Sequence, residues 1–468
     1  MPLANGTKMA DVAVQPAPDS FDLDVPILII GAGACGMVAA LAAHDAGQEV
    51  LVIEADPMPS GSTALSAGLI PAAGTAIQAA AGIHDSAAAF AADIQAKAKD
   101  ENPPALVDLL ATQSGPAVDW LASRFDLPFS VVDDFDYPGH SARRMHGLPS
   151  RAGRELVDRL RSACEAAGID IICNRRATTL FTDGDTIGGA AVEGPDGTET
   201  IGAGAVILAC NGFGGNAAMV ARHMPDIADA VWFGHGGNTG DAVTWGTALG
   251  ARTRHLGAYQ GHGNVAHPHG ILITWAVISE GGIQVNQDGH RFWDESQGYS
   301  EAARAVLAQP GGVAWSIFDT RIAAIARQFQ DFKDAEAQGA VRIATDIDDL
   351  AQQTGLPRDA LANTLAQSTP GQTDPFGRRF GPHALTPPFA AVKVTGALFH
   401  TQGGLDIDGS ARVVRSKGGV FANLFAAGGA AVGVSGKADS GYLSGNGLLS
   451  AVVLGRVAGQ AAARLTLP

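Results

Sequence analysis

The sequence predicts an α/β fold: a discontinuous dinucleotide-binding domain, built from both ends of the chain, with an α+β domain inserted between them. Three observations predict it. A strand–glycine–helix–strand–acid series opens near Val25, and two later apolar runs end in glycines at Gly212 and Gly428. At 468 residues the chain is also too long for one ordinary core. The expected parts are a flexible tail over 1–21, a cofactor domain over 22–256, a substrate cap over 257–395, and a return to the cofactor domain over 396–468.

The first element is Val25–Ile30, an apolar run of the kind that forms a fully buried parallel strand. It enters Gly31-Ala-Gly33-Ala34-Cys35-Gly36 and then an alanine-rich helical stretch from Met37 to His44. A second apolar strand, 49–53, ends at the acid Glu54. This order is the Rossmann-type signature. Gly31 permits the tight turn, Gly33 lets the backbone approach a pyrophosphate, and Gly36 lets helix and strand pack. The helix amino terminus then faces the phosphates, and Glu54 accepts from ribose hydroxyls.

The segment Ser60 to Gly68 follows, with Ser62, Thr63 and Ser66 as small hydroxyl residues suited to lie against a large flat cofactor. Between 76 and 165 alanine- and leucine-rich segments predict a helical excursion. Ala205–Gly215 reads as another buried strand ending in Asn211-Gly212, and Asn423–Gly429 repeats the pattern. Ser444-Gly445-Asn446-Gly447-Leu448-Leu449 then starts a long apolar helix, whose first N–H groups would face the cofactor ring.

Composition narrows the partners. The net charge of -16 argues against nucleic acid. Cys35, Cys164, Cys173 and Cys210 are too few and too scattered for a disulfide framework or a zinc site, which fits reduced thiols in the cytoplasm. No secretory signal and no uncharged membrane-spanning stretch is evident. His262, His267 and His269 lack metal-site spacing, and no metal is expected.

These segments together resemble the fumarate reductase/succinate dehydrogenase flavoprotein superfamily, from about residue 22 to the end. The matching motifs are GAGACG with Glu54, SGSTALSAG, LACNGFGGN, HTQGGLDID, and LFAAGGAAVG followed by SGNGLLSA. The resemblance implies FAD as cofactor, and it adds Ala34, Cys35, Ala55, Asp241, Gly428, Gly447, Leu448 and Leu449 to the residues expected to bind it. Gly429 departs from the pattern, because many members carry an acid there. Covalently flavinylated members carry a histidine within the stretch matching 60–68; this chain has none, so non-covalent FAD is expected.

The dicarboxylate reductases of that superfamily hold their substrate with arginines, and here those positions differ. Tyr299 stands where an arginine follows the RFxNE segment, and Tyr442 where one precedes the glycine–asparagine pair. Ile278 and Trp275 match a proton-relay arginine and its glutamate partner. A buried dicarboxylate without forked cations is left with unpaired charge. The pattern is similar to flavin-dependent 3-ketosteroid dehydrogenases, closest to the Δ4-(5α) branch through Tyr442-Leu-Ser444.

That resemblance implies a dehydrogenase that forms a C=C bond beside a ring ketone, with Tyr442 polarising the carbonyl and Ser444 and Tyr299 conducting the α-proton away. A backbone N–H such as that of Gly445 or Gly447 would add to the donors on the carbonyl. His262 and His400 fall at substrate positions, and each reads equally well as a pocket-wall histidine. His146, after Arg143 and Arg144, is expected on a solvated loop, and Tyr137 on a turn. Two other readings stay open: a reductase of an unsaturated acid, and a flavin-binding electron-transfer protein without turnover. The substrate is expected to be a small cyclic ketone, and the electron acceptor is not specified.

Overall fold

The computed structural model describes residues 12–133 and 137–466. The chain forms two compact units. One takes the described residues up to His223, Gly234–Tyr259 and those from His400 onward; the other takes Met224–Phe233 and Gln260–Phe399.

The first unit is organised on a nine-stranded sheet. Leu23–Ile30 lies between two parallel neighbours, Val50–Ile53 and Gly197–Leu208, and Val420–Ala426 adds a further parallel strand beside Gly197–Leu208. Ile27, Leu28 and Ile29 are fully buried, as a strand covered on both faces requires. The helix Ala34–Asp45 packs against the C-terminal helix Asn446–Thr466. A Cβ on Gly455 or Gly459 would come within 2.6 or 2.2 Å of the Cys35 and Ala39 carbonyl oxygens, so the two helices touch backbone to backbone. By length and composition the C-terminal helix could cross a membrane, but over half of its most apolar stretch is covered inside this unit.

Two expectations are corrected. The supposed tail contains a strand, Ala13–Pro16, which pairs in parallel with Arg176–Asp183; residues 1–11 lie outside those described. Its alternation is too short to read alone, and the partner strand supplies its hydrogen bonds. His146 is not on a solvated loop. It is fully buried on the short strand Met145–Gly147, with Thr75 Oγ1 2.8 Å from Nε2 and the Arg144 carbonyl 2.9 Å from Nδ1. Burial pushes its pKa down to about 4. Arg143 is exposed, whereas Arg144 is buried on Asp85 and Asp93, acids too distant in sequence to be seen locally.

The second unit is built on a seven-stranded sheet centred on Phe389–Thr401. Its alternation is period two: Ala314, Phe318, Ala390, Val392 and Val394 enter one core, while Trp315, Ile317, Phe389 and Ala391 enter the other. The sheet is therefore buried on both sides. Residues 224–233, which the sequence places with the cofactor domain, join this unit because Val231–Trp232 pairs with Ala397–Leu398.

Candidate cofactor and active site

The turn after the first strand is shaped by Gly31, whose φ of +107° and 2.7 Å clearance to the Ala209 oxygen admit no side chain. Gly36 gives the close helix–turn approach expected of it, since a Cβ there would overlap the Gly31 oxygen. Gly33 caps Ala34–Asp45 with no side-chain cap, and only Thr63 Oγ1 lies near its missing Cβ. Glu54 accepts from the Ala32 and Asp56 N–H groups at 2.7 and 3.0 Å, leaving a lone pair on each oxygen for a ribose. Ala55 beside it is exposed.

The Ser60–Gly68 loop is tied to this turn. Thr63 Oγ1 accepts from the Ala34 N–H at 3.2 Å, and Ser62 Oγ accepts from Asn211 and Asn238 at 3.0 and 2.9 Å. Ser66 is occupied within the loop, donating to the Thr63 carbonyl and accepting from the Gly68 N–H. Gly68 makes room for the backbone of Ala152 and Gly153. Asn211 also accepts from the Gly212 N–H at 2.8 Å, and its Oδ1 fills the space in which Gly429 would carry a side chain, 2.0 Å from that position. The missing acid is thus accounted for by Asn211. Asp241 bonds Arg176 at 2.7 Å and Thr239 at 2.9 Å. Cys35 faces Gly428, and burial pushes the Cys210 thiol up to about 12.

These residues fit FAD. Asn446 Oδ1 and Ser450 Oγ, one turn apart at the start of the C-terminal helix, are buried and have no protein partner among the described residues. A flavin's polar edge would supply the partners they lack. Leu449 is less suited to that role than its position suggests, because its N–H bonds the Gly445 carbonyl and its side chain lies in the core. Leu448 is half-buried beside it.

Tyr442, Ser444 and His400 share the first unit. The Tyr442 phenol is buried, and burial raises its pKa against the opposing effect of the Gly447 and Gly445 amides. His400 meets the Tyr442 ring edge-on at 5.6 Å. Its Nδ1 lies 2.8 Å from Gln402 Nε2, Gln402 Oε1 accepts from Ser435 Oγ at 2.7 Å, and Ser435 accepts from Asn446 at 3.1 Å. Read along that chain, His400 is a neutral imidazole with its proton on Nε2, and burial lowers its pKa to about 4. Gln402 and Ser435 carry no sequence signal beyond the proximity of Gln402 to His400.

Tyr299 and His262 share the second unit. Tyr299 begins the helix Tyr299–Leu307, and its ring stacks on His262 at 5.0 Å. Phe399 stacks on His262 at 5.5 Å, and Trp275 stands edge-on at 5.8 Å. His262 Nδ1 accepts from the Asn264 N–H, so its proton too sits on Nε2; burial lowers its pKa to about 3. Tyr137 is half-buried, and residues 134–136 before it lie outside those described.

A family model described as "FAD binding domain" matches residues 26–448. The chain is 34% identical over 452 residues to a probable fumarate reductase of Shewanella frigidimarina (strain NCIMB 400), covering 94% of this chain and 75% of that protein. Among solved structures it resembles the open conformation of a flavocytochrome c3 fumarate reductase, at 32% identity and a TM-score of 0.81, covering 96% and 80% of the two chains. It also resembles in fold the 3-ketosteroid-Δ4-(5α)-dehydrogenase from Rhodococcus jostii RHA1 solved with 4-androstene-3,17-dione, at 23% identity, a TM-score of 0.76, and 96% and 99% coverage. The chain belongs to the FAD binding domain family, within the fumarate reductase/succinate dehydrogenase flavoprotein superfamily, and it is an FAD-dependent oxidoreductase.

Proposed function

We propose that this oxidoreductase desaturates the C–C bond beside the carbonyl of an uncharged ring ketone, a 3-ketosteroid or a cyclohexanone-type compound. The observation that carries the reading is the neutrality of every candidate substrate residue: two phenols, Ser444, and two imidazoles whose pKa values are pushed down to about 3 and 4. A carboxylate facing these groups finds donors but no counter-charge, which costs several kcal/mol. A ketone needs donors only.

The Tyr442 O–H acts as a donor to the ketone oxygen and stabilises the negative charge that builds there. The resemblance assigns the departure of the α-proton to the hydroxyls of Ser444 and Tyr299. FAD, when bound, supplies the two-electron acceptor for the β-hydrogen, and with no histidine in 60–68 it is held without a covalent bond.

A reductase acting on an unsaturated acid is the second reading, favoured by the 34% identity to a probable fumarate reductase. Anaerobic mixing separates the two. A saturated ring ketone should bleach the oxidised flavin, and fumarate should not reoxidise the reduced protein. Tyr299→Phe and Tyr442→Phe should each slow bleaching about 100-fold or more while FAD stays bound. Denaturation should release all of the flavin into solution. Full rates in both variants, or rapid reoxidation by fumarate alone, would replace the ketone reading.

A further inference from the structure

The loop that carries Tyr442 and Ser444 sits on a segment with no part in the chemistry above. Gly139 leaves room for Leu443, whose Cδ1 would lie 2.8 Å from a Cβ there. Gly445, at φ +88°, closes onto Pro71 and the Met145 Cε, 2.6 and 3.3 Å from its missing Cβ. Between these contacts, His140 Nε2 lies 3.0 Å from the Ser444 carbonyl oxygen.

That carbonyl can only accept, so the imidazole proton is on Nε2. The other nitrogen, Nδ1, faces Arg144 Nη1 at 3.3 Å, and a guanidinium can only donate. The tautomer of His140 is thus set from both sides. Arg144 is itself immobilised. Its side chain is fully buried, Nε and Nη2 fork onto Asp85 at 2.9 and 3.0 Å, Nη1 bonds Asp93, and the guanidinium lies 4.6 Å above the Phe90 ring. Burial and the nearby arginine push the pKa of His140 down to about 4, so near neutral pH it keeps a single proton.

The Ser444 carbonyl that accepts from His140 stands two residues after Tyr442 on the same loop. We propose that His140 is a positioning residue for the loop that carries Tyr442, holding its Ser444 carbonyl with the Arg144–Asp85–Asp93 ion pairs as a fixed base. The bond to the Ser444 carbonyl holds the peptide plane against rotation at Gly445, a position whose conformational freedom would otherwise let the loop and its tyrosine shift. The inference rests on the reading of Tyr442 as the carbonyl-polarising group.

The test uses the FAD-loaded protein with tyrosine labelled by 13C at Cζ. The sequence has only Tyr137, Tyr259, Tyr299 and Tyr442, so the spectrum is simple, and Tyr442→Phe identifies the resonance in question. His140→Phe should shift the Tyr442 signal and leave the other three in place, and His140→Gln, whose Nε2 can donate to the same carbonyl, should restore it. His140→Asn, too short to reach, serves as a second loss variant if the phenylalanine does not fold. With cyclohexanone as the ketone, both loss variants should lower kcat about 10- to 100-fold with KM nearly unchanged, and glutamine should recover most of it. A Tyr442 resonance unmoved in both loss variants overturns the proposal. A resonance that moves as expected, in a protein whose flavin no ketone reduces, supports the positioning role and removes the ketone reading instead.

Discussion

Gly429 and Asn211 show how a single side chain redirects a motif. Asn211 holds the 62–63 loop through Ser62 and fills with its Oδ1 the volume that a residue-429 side chain would need. An acid restored at that position has to push Asn211 out and so releases Ser62. Gly429→Glu should therefore weaken FAD binding about tenfold, the lower range of an overpacking penalty, and fluorescence titration of the apoprotein with FAD measures it. Unchanged affinity would mean that Asn211 relocates at no cost. At this scale the sequence shows which residue types stand where arginines are missing. It does not show that His140 holds the Ser444 carbonyl, because the two residues stand 304 positions apart.

At the scale of elements, the strongest sequence signals were the buried ones. The strands expected near 25–30, 49–53, 205–208 and 423–426 are found in the parallel core, because runs of Ile, Val and Leu bounded by glycine suit little else. Ala13–Pro16 escaped notice since it is half-exposed and owes its existence to a partner more than a hundred residues away. The same holds for Arg144 and His146, whose partners lie on other elements. The helix pair built on Cys35–Ala39 and Gly455–Gly459 is a sharper case. Its glycines are visible in the sequence, but their purpose is only visible in the contact. Gly459→Val forces a branched side chain into the Ala39 carbonyl and should lower stability by about 1–3 kcal/mol. A urea midpoint equal to that of the parent would show that the helices separate freely.

For the whole molecule, the buried histidines set the response to acid. His146 and His262 belong to different units, and both have folded-state pKa values well below that of a free imidazole, about 4 and about 3. Each therefore contributes stability that is complete above the unfolded pKa of about 6.5 and is lost as pH falls towards the folded value. At pH 5 the loss is about 2 kcal/mol for each histidine. Unfolding midpoints measured at pH 7.5 and pH 5 should differ accordingly in both units; equal midpoints would mean the rings are charged in the native state. The division into units was legible in outline from the cofactor segments at both chain ends. The membership of 224–233 was not, since it follows from one short strand pair.

The pairing of Val420–Ala426 with Gly197–Leu208 has a consequence for how the chain is made. During synthesis the phosphate-binding turn leaves the ribosome early, while the strand Val420–Ala426 and the helix that carries Asn446 and Ser450 leave only after the second unit. Until then the long strand waits with an open edge as the entire second unit emerges. A polypeptide that stops short of that helix thus lacks one side of its flavin cradle, and yellow colour becomes a sign that translation has passed it.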